Sequence, residues 1–163
     1  MNGSISIIIN EMIKYYSGDP RRVNHFLKVY SFAKAIGELE GIDKDTQNML
    51  EVTAVMHDIG IKVSEEKYKS SAGNYQEIEG PPVAREMLSQ LNFDEIFIER
   101  VCYLIGHHHT YSKIDGIDYQ ILIEADFLVN IYEDEIRDIQ IRSIKEKYFK
   151  TKAGIQFLTD LYL

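Results

Sequence analysis

Residues 20–60 read PRRVNHFLKVYSFAKAIGELEGIDKDTQNMLEVTAVMHDIG. From about Arg21 to Leu39, Val23, Phe26, Leu27, Tyr30, Phe32, Ala33 and Ile36 recur at helical spacing and form one apolar face. Pro20 suits the first helical position, because its missing N–H is one that a helix start leaves unpaired anyway. Gly41 ends the segment, and Asp43 offers a side-chain oxygen to cap a third helix running to about His57-Asp58. Gly60 fits a terminating turn, or a position that leaves room for a bound molecule. The stretch therefore predicts two helices in succession, one carrying His25 near its start and the other ending on His57-Asp58.

The same periodicity extends outward in both directions. Residues of about 4–16 form a helix ending at Ser17-Gly18, and its isoleucines can pack on the chain's own core or against a second copy in a homodimer. Downstream, residues of about 62–79 are polar and weakly periodic, so they predict a long loop. Pro81-Pro82 then opens a helix to about Leu91, Asp94 caps another that reaches the histidines at 107, and a further helix spans about Tyr119 to Tyr132. Two shorter helices follow, divided near Thr151 to Gly154. No alternating stretch has the length of a strand, and the expectation is an all-α fold in a single domain covering residues 1–163.

Composition removes several function classes. The net charge of −8 argues against an extended nucleic-acid surface, which needs a basic stripe to meet phosphates. No run approaches the ~18–20 apolar residues of a membrane helix, and Ile5 to Ile9 lacks the basic flank of a secretory signal, so the cytoplasm is expected. The single cysteine, Cys102, lies in an apolar helical run and reads as a buried thiol. Any metal must then be held by histidine and carboxylate.

The five histidines fall at 25, at 57 and in one run at 107–109. Imidazole nitrogen with carboxylate oxygen suits several divalent metals, and adjacent His57-Asp58 at a helix end can aim both groups at one ion. Asp126 interrupts an apolar helix between Ala125 and Phe127. A buried carboxylate costs several kcal/mol unless it is paired, hydrogen-bonded or bound to a metal. Taken singly, Asp126 could face solvent or an arginine, His25 could be an ordinary helix-face histidine, and the histidine run could be a surface turn.

Taken together, they resemble the HD superfamily of metal-dependent phosphohydrolases. Arg22-Val23-Asn24-His25 is similar to the family's first helix, Val55-Met56-His57-Asp58-Ile59-Gly60 to its signature segment, and Ile123-Glu124-Ala125-Asp126 to its final aspartate helix. The likeness covers residues of about 20–135. It implies a helical bundle and one metal ion on His25, His57, Asp58 and Asp126. Leu104 to His109 resembles the histidine-rich segment of the dinuclear branches, which implies a second ion on His108 and His109. Those branches have another histidine before a Gly-Pro helix start. Here Glu79 precedes Gly80-Pro81-Pro82 and is the expected substitute. One or two divalent ions are implied, with Fe, Mn, Zn, Ni, Co and Mg all compatible.

The resemblance further implies hydrolysis of a small phosphorylated substrate, a nucleotide above all, by metal-activated water. Asp58 would take part directly, while Lys62, and less strongly Arg22, would contact the phosphate. Tyr68 and Tyr111 are candidates to line the pocket. Two other functions fit the same ligands: a di-iron oxygenase of the same fold, and a non-catalytic metal-binding regulatory module.

Overall fold

The computed structural model describes residues 4–163. Among them there are nine helices and no strand: α1 (Ile5–Tyr15), α2 (Pro20–Glu40), α3 (Lys44–Met56), α4 (Ile61–Tyr68), α5 (Gly73–Gln90), α6 (Glu95–Ile105), α7 (Ile117–Glu133), α8 (Asp138–Tyr148) and α9 (Lys152–Tyr162). The all-helical, single-domain expectation holds. Among the described residues, no helix is long and apolar enough to cross a membrane.

Helix starts follow the acidic and hydroxyl side chains that precede them. Asp19, Asp43 and Asp94 accept hydrogen bonds from the N–H groups of Arg22 (3.2 Å), Thr46 (2.9 Å) and Phe97 (2.9 Å), and Thr151 does the same for Gly154 (2.9 Å). Helix α2 ends on Gly41 at φ 68°, where the Gly41 and Ile42 N–H groups return to the carbonyls of Glu38 and Gly37.

The centre of the molecule is α3. Its last seven residues, Leu50 to Met56, are all buried, as befits a helix covered on every side. Leu50 and Ala54 face a core shared with α2, α7 and α9, while Val52, Val55 and Met56 face a second core built with α1, α5 and α6. Each large side chain so buried contributes about 1.5–3 kcal/mol. Helix α1 belongs to the second core through Ile8, Met12 and Tyr16, whereas Ile7 and Ile13 stay exposed.

One segment departs from expectation. The loop predicted at 62–79 consists of α4 and the first turns of α5, and Pro81-Pro82 lies in the interior of α5 instead of opening a helix. Two prolines deprive the Glu77 and Ile78 carbonyls of their helical donors. Gly60 does lie in the turn between α3 and α4, but it leaves no space for a ligand. Its φ is −77°, and a Cβ placed there would stand 2.7 Å from the Gln76 carbonyl and 2.8 Å from the Gly80 nitrogen. The α4 start and α5 thus meet backbone to backbone, which explains glycine at 60; at 80 a Cβ would instead stand 2.6 Å from the Ile105 side chain. Cys102 is half-buried, its thiol donating to the Pro81 carbonyl (3.4 Å).

A second buried carboxylate ties the C-terminal helices down. Glu124 of α7 is fully buried and accepts from the Lys150 N–H (2.9 Å), Thr151 N–H (3.0 Å), Thr151 hydroxyl (2.6 Å) and Gln120 amide (2.6 Å). Removing it strands the buried Thr151 donors, each costing about 1–3 kcal/mol. Glu124→Ala is expected to cost about 3 kcal/mol and lower Tm by roughly 6–12 °C. Thermal unfolding followed by circular dichroism measures this; a shift under about 2 °C would refute the anchoring role.

Candidate metal centre

Three helices deliver four donor residues to one point. His25 comes from the second turn of α2, His57 and Asp58 from the residues just past α3, and Asp126 from the middle of α7. His25 Nε2 lies 3.1 Å from Asp58 Oδ2, 3.3 Å from Asp126 Oδ1 and 3.3 Å from His57 Nε2. His57 Nε2 lies 3.4 Å from each of the same two oxygens. A tetrahedral ion bonded at about 2.0–2.1 Å requires donors about 3.3–3.4 Å apart. His25, His57 and Asp58 thus form a group able to share a first-row divalent ion, with Asp126 set against both of its imidazoles.

The far ring nitrogens fix which atoms face the centre. His57 Nδ1 pairs with the Ala54 carbonyl (2.7 Å), and His25 Nδ1 with Glu133 (2.5 Å), whose other oxygen takes the Lys28 ammonium (3.0 Å). Each Nδ1 is thus the donor, so that Nε2 carries the lone pair once the ring gives up its second proton, as in carboxylate–histidine–metal arrangements. Asn130 holds Asp126 Oδ1 (3.1 Å), and the Tyr16 hydroxyl holds the Asp58 carbonyl (2.7 Å).

On its other side, Asp58 meets the histidine run. Asp58 Oδ1 lies 3.4 Å from His108 Nε2, and Asp58, His108 and His109 form a second group able to share an ion. His108 Nδ1 pairs with the Ile105 carbonyl (2.7 Å), so Nε2 bears a lone pair, buried and without a hydrogen bond. A buried orphan of this kind is costly, and a cation would satisfy it. His109 meets Gln76 Oε1 through Nε2 (3.1 Å), and Glu77 clamps the turn by accepting from the His109 N–H (3.2 Å) and the Thr110 hydroxyl (2.9 Å). His107 turns away, with Nδ1 on the Tyr103 carbonyl and its ring stacked on Tyr103.

Two expected residues are placed elsewhere. Glu79 joins neither group: its carboxylate takes the Lys67 ammonium (3.0 Å) and the Tyr68 hydroxyl (2.8 Å). Because α5 already runs helically through this region, Gln76, one turn earlier, is the residue that reaches His109. Lys62 does not reach the centre either. Helix α4 begins at Ile61, so Lys62 projects toward α1, donating to the Tyr15 carbonyl (3.3 Å) over the Tyr15 ring. Arg22 is the residue that lines the site, though it also holds Glu65 (2.7 Å). Tyr68 stacks on Tyr75, and Tyr111 packs on Phe127 and Tyr148, so neither lines the pocket.

The donors open onto a cavity of about 280 Å³, whose lining also includes Arg21, Arg22, Ser71, Gln76, Asn130 and Asp134. The Asn130 and Glu133 roles could have been read from spacing, since they lie four and seven residues after Asp126 and so share its helix face. Gln76 and Glu77 carry no such signal, because their segment lacks a clear period.

Charge in the centre is strongly coupled. Burial opposes an imidazolium at His25, but hydrogen-bonded Asp126 and Asp58 overcome it and push the pKa up to about 11; at His57 burial is likewise overcome, by Asp58 and Asp126. Burial would raise the carboxylates, yet His57 and the other imidazoles hold Asp58 well below its usual range, and His25 does so for Asp126. His109 goes the other way, lowered to about 4 by burial and by neighbouring His108.

Two consequences can be measured. Since His25 and His57 hold protons above their ordinary value, metal uptake must displace protons, and apparent affinity should rise at least ~10-fold per pH unit between pH 6 and 8. Titration against a competing chelator measures this, and pH-independent uptake would contradict the coupling. Glu133→Ala frees the His25 ring and should weaken metal affinity by about 10–100-fold; an unchanged Kd in the same titration would deny Glu133 this role.

The comparisons agree with this geometry. The HD domain family model matches residues 22–147. The crystal structure of a predicted HD superfamily hydrolase from an uncultured Thermotogales bacterium superposes with a TM-score of 0.65, covering 96% of this chain and 82% of that one at 24% identity. No curated protein matches the chain.

Proposed function

The chain belongs to the HD domain family, and from that premise we propose that it is a metal-dependent phosphohydrolase acting on a small phosphorylated metabolite. HD domains bind divalent metals, and the observation that carries the proposal is the convergence of His25, His57, Asp58 and Asp126 beneath a cavity that also presents two arginines. When bound, a divalent cation there supplies Lewis acidity, lowering the pKa of water and offsetting negative charge on a phosphoryl group.

The protein's own residues do the rest. Asp58 presents one oxygen to the His25–His57 side and the other to His108, so the two donor groups share it. This favours two adjacent ions, the second resting on Asp58, His108 and His109. Glu133 and the Ala54 carbonyl hold the His25 and His57 rings in their productive tautomers. Arg21 and Arg22 stand at the cavity wall, where guanidinium groups can bind phosphate oxygens and orient the ester. His109, with its low pKa, remains neutral at pH 7 and keeps a lone pair available.

The test is hydrolysis of p-nitrophenyl phosphate and a panel of natural phosphate esters by the protein reconstituted separately with Mn, Fe, Co, Ni, Zn and Mg. Activity with at least one metal is expected, with His57→Ala lowering it by at least ~10³-fold together with bound metal. His108→Ala should lose one of two equivalents by elemental analysis and keep the other. No phosphate release with any metal would remove the proposal. Oxygen uptake by the iron form would then favour the oxygenase, and metal binding without turnover a regulatory module.

A further inference from the structure

The cavity wall carries information about what the phosphate is attached to. Among the described residues lining it there is no Phe, Tyr or Trp, and Ile61 is the sole aliphatic side chain. Nucleobases are held by stacking and apolar contact, with a few polar groups reading their edges. The two tyrosines expected to line the site are committed elsewhere, Tyr68 to Glu79 and Tyr75, and Tyr111 to Phe127 and Tyr148. At about 280 Å³ the space lies at the bottom of the ~300–1,000 Å³ range of ligand sites. A base would find no Phe, Tyr or Trp to stack on there.

The polar groups suit a different molecule. The Ser71 hydroxyl, the Asn130 carbonyl oxygen and the exposed Asp134 carboxylate all line the cavity, and none is engaged by another side chain among the described residues. Carboxylate, amide oxygen and hydroxyl are the groups that accept hydrogen bonds from sugar and polyol hydroxyls. Arg21, exposed and outside any ion pair among the described residues, lines the cavity together with Arg22 and Asp134. The wall thus carries both signs of charge, and Asp134 would repel a second or third phosphate placed against it.

Resting on the phosphohydrolase reading, we propose that the substrate is a compact, polyhydroxylated phosphomonoester, a sugar or polyol phosphate. The phosphate lies toward the donor cluster and Arg21–Arg22, and the hydroxyls lie toward Ser71, Asn130 and Asp134. In the reaction a water oxygen bonds to phosphorus as the ester P–O bond breaks. The water's proton ends on the departing alkoxide, giving alcohol and inorganic phosphate.

The experiment compares kcat/KM of the metal-reconstituted full chain for ribose 5-phosphate, glucose 6-phosphate and glycerol 3-phosphate with that for AMP, dAMP and ATP. At least one of the first three should exceed every nucleotide by about tenfold or more. Asp134→Asn should lower the ratio of sugar-phosphate to nucleotide kcat/KM at least threefold, through KM. A nucleotide preferred over all three would overturn the inference while leaving the phosphohydrolase reading intact. If no ester turns over, that reading fails, and calorimetric binding to the metal-loaded protein decides the inference. Tighter binding of ribose 5-phosphate than of AMP supports it, whereas tighter AMP, or no binding by either, overturns it.

Discussion

The Asp58 carboxylate stands among three imidazoles, with one oxygen 3.1–3.4 Å from His25 and His57 and the other 3.4 Å from His108. Such a group is expensive to hide, costing several kcal/mol after relaxation unless charge and hydrogen bonds compensate it. Much of the architecture serves that compensation. Helix α3 is buried on all sides over its last two turns, so the residues following it emerge in the interior and not at the surface. Tyr16 of the α1 end fixes the Asp58 backbone, while α2, α7 and the turn after α6 each bring one partner to the carboxylate or its neighbours. A bundle that packed equally well without this convergence would leave a charge unpaired in its middle.

Rigidity around the centre comes from groups one step removed from it. Each inward-facing nitrogen is defined by a bond on the far side of its ring: Ala54 for His57, Ile105 for His108, Glu133 for His25. Two of these are backbone carbonyls at helix ends, three residues before the histidine, and so come with the local fold. The third is a carboxylate held in turn by Lys28. The helix face Asp126–Asn130–Glu133 shows how one amphipathic stripe can carry a donor, its support, and the support of a donor on another helix.

What could be read from the sequence follows the strength of local signals. The caps at Asp19, Asp43, Asp94 and Thr151 and the left-handed Gly41 are local chemistry, and the helices they bound stand where periodicity put them. His25, His57, Asp58 and Asp126 stood out because polar groups interrupted apolar faces in a recognisable order. The region 62–79 was illegible because α4 and the start of α5 are polar and short of apolar period, and because Pro81-Pro82 imitates a helix start. Their helical state depends on tertiary contact, namely the Gly60–Gly80 approach and the stacked Tyr68 and Tyr75. Lys62 was misplaced for the same reason: its direction is set by where α4 begins, which no local residue announces.

That tertiary contact also decides the second half of the site. With glycine at 60 and 80, α5 lies against the chain segment that carries Asp58, and the turn of α5 before the prolines comes within reach of His109. A side chain at Gly60 would separate the two backbones, moving Gln76 and Glu77 away from the histidine turn they hold. Gly80 has a further neighbour, since a Cβ there would stand 2.6 Å from Ile105, the residue whose carbonyl orients His108. The His25–His57–Asp126 side rests on α2, α3 and α7 and is independent of this contact. The two donor groups therefore share Asp58 but are built by different packing, and the histidine-run side can weaken without loss of the other.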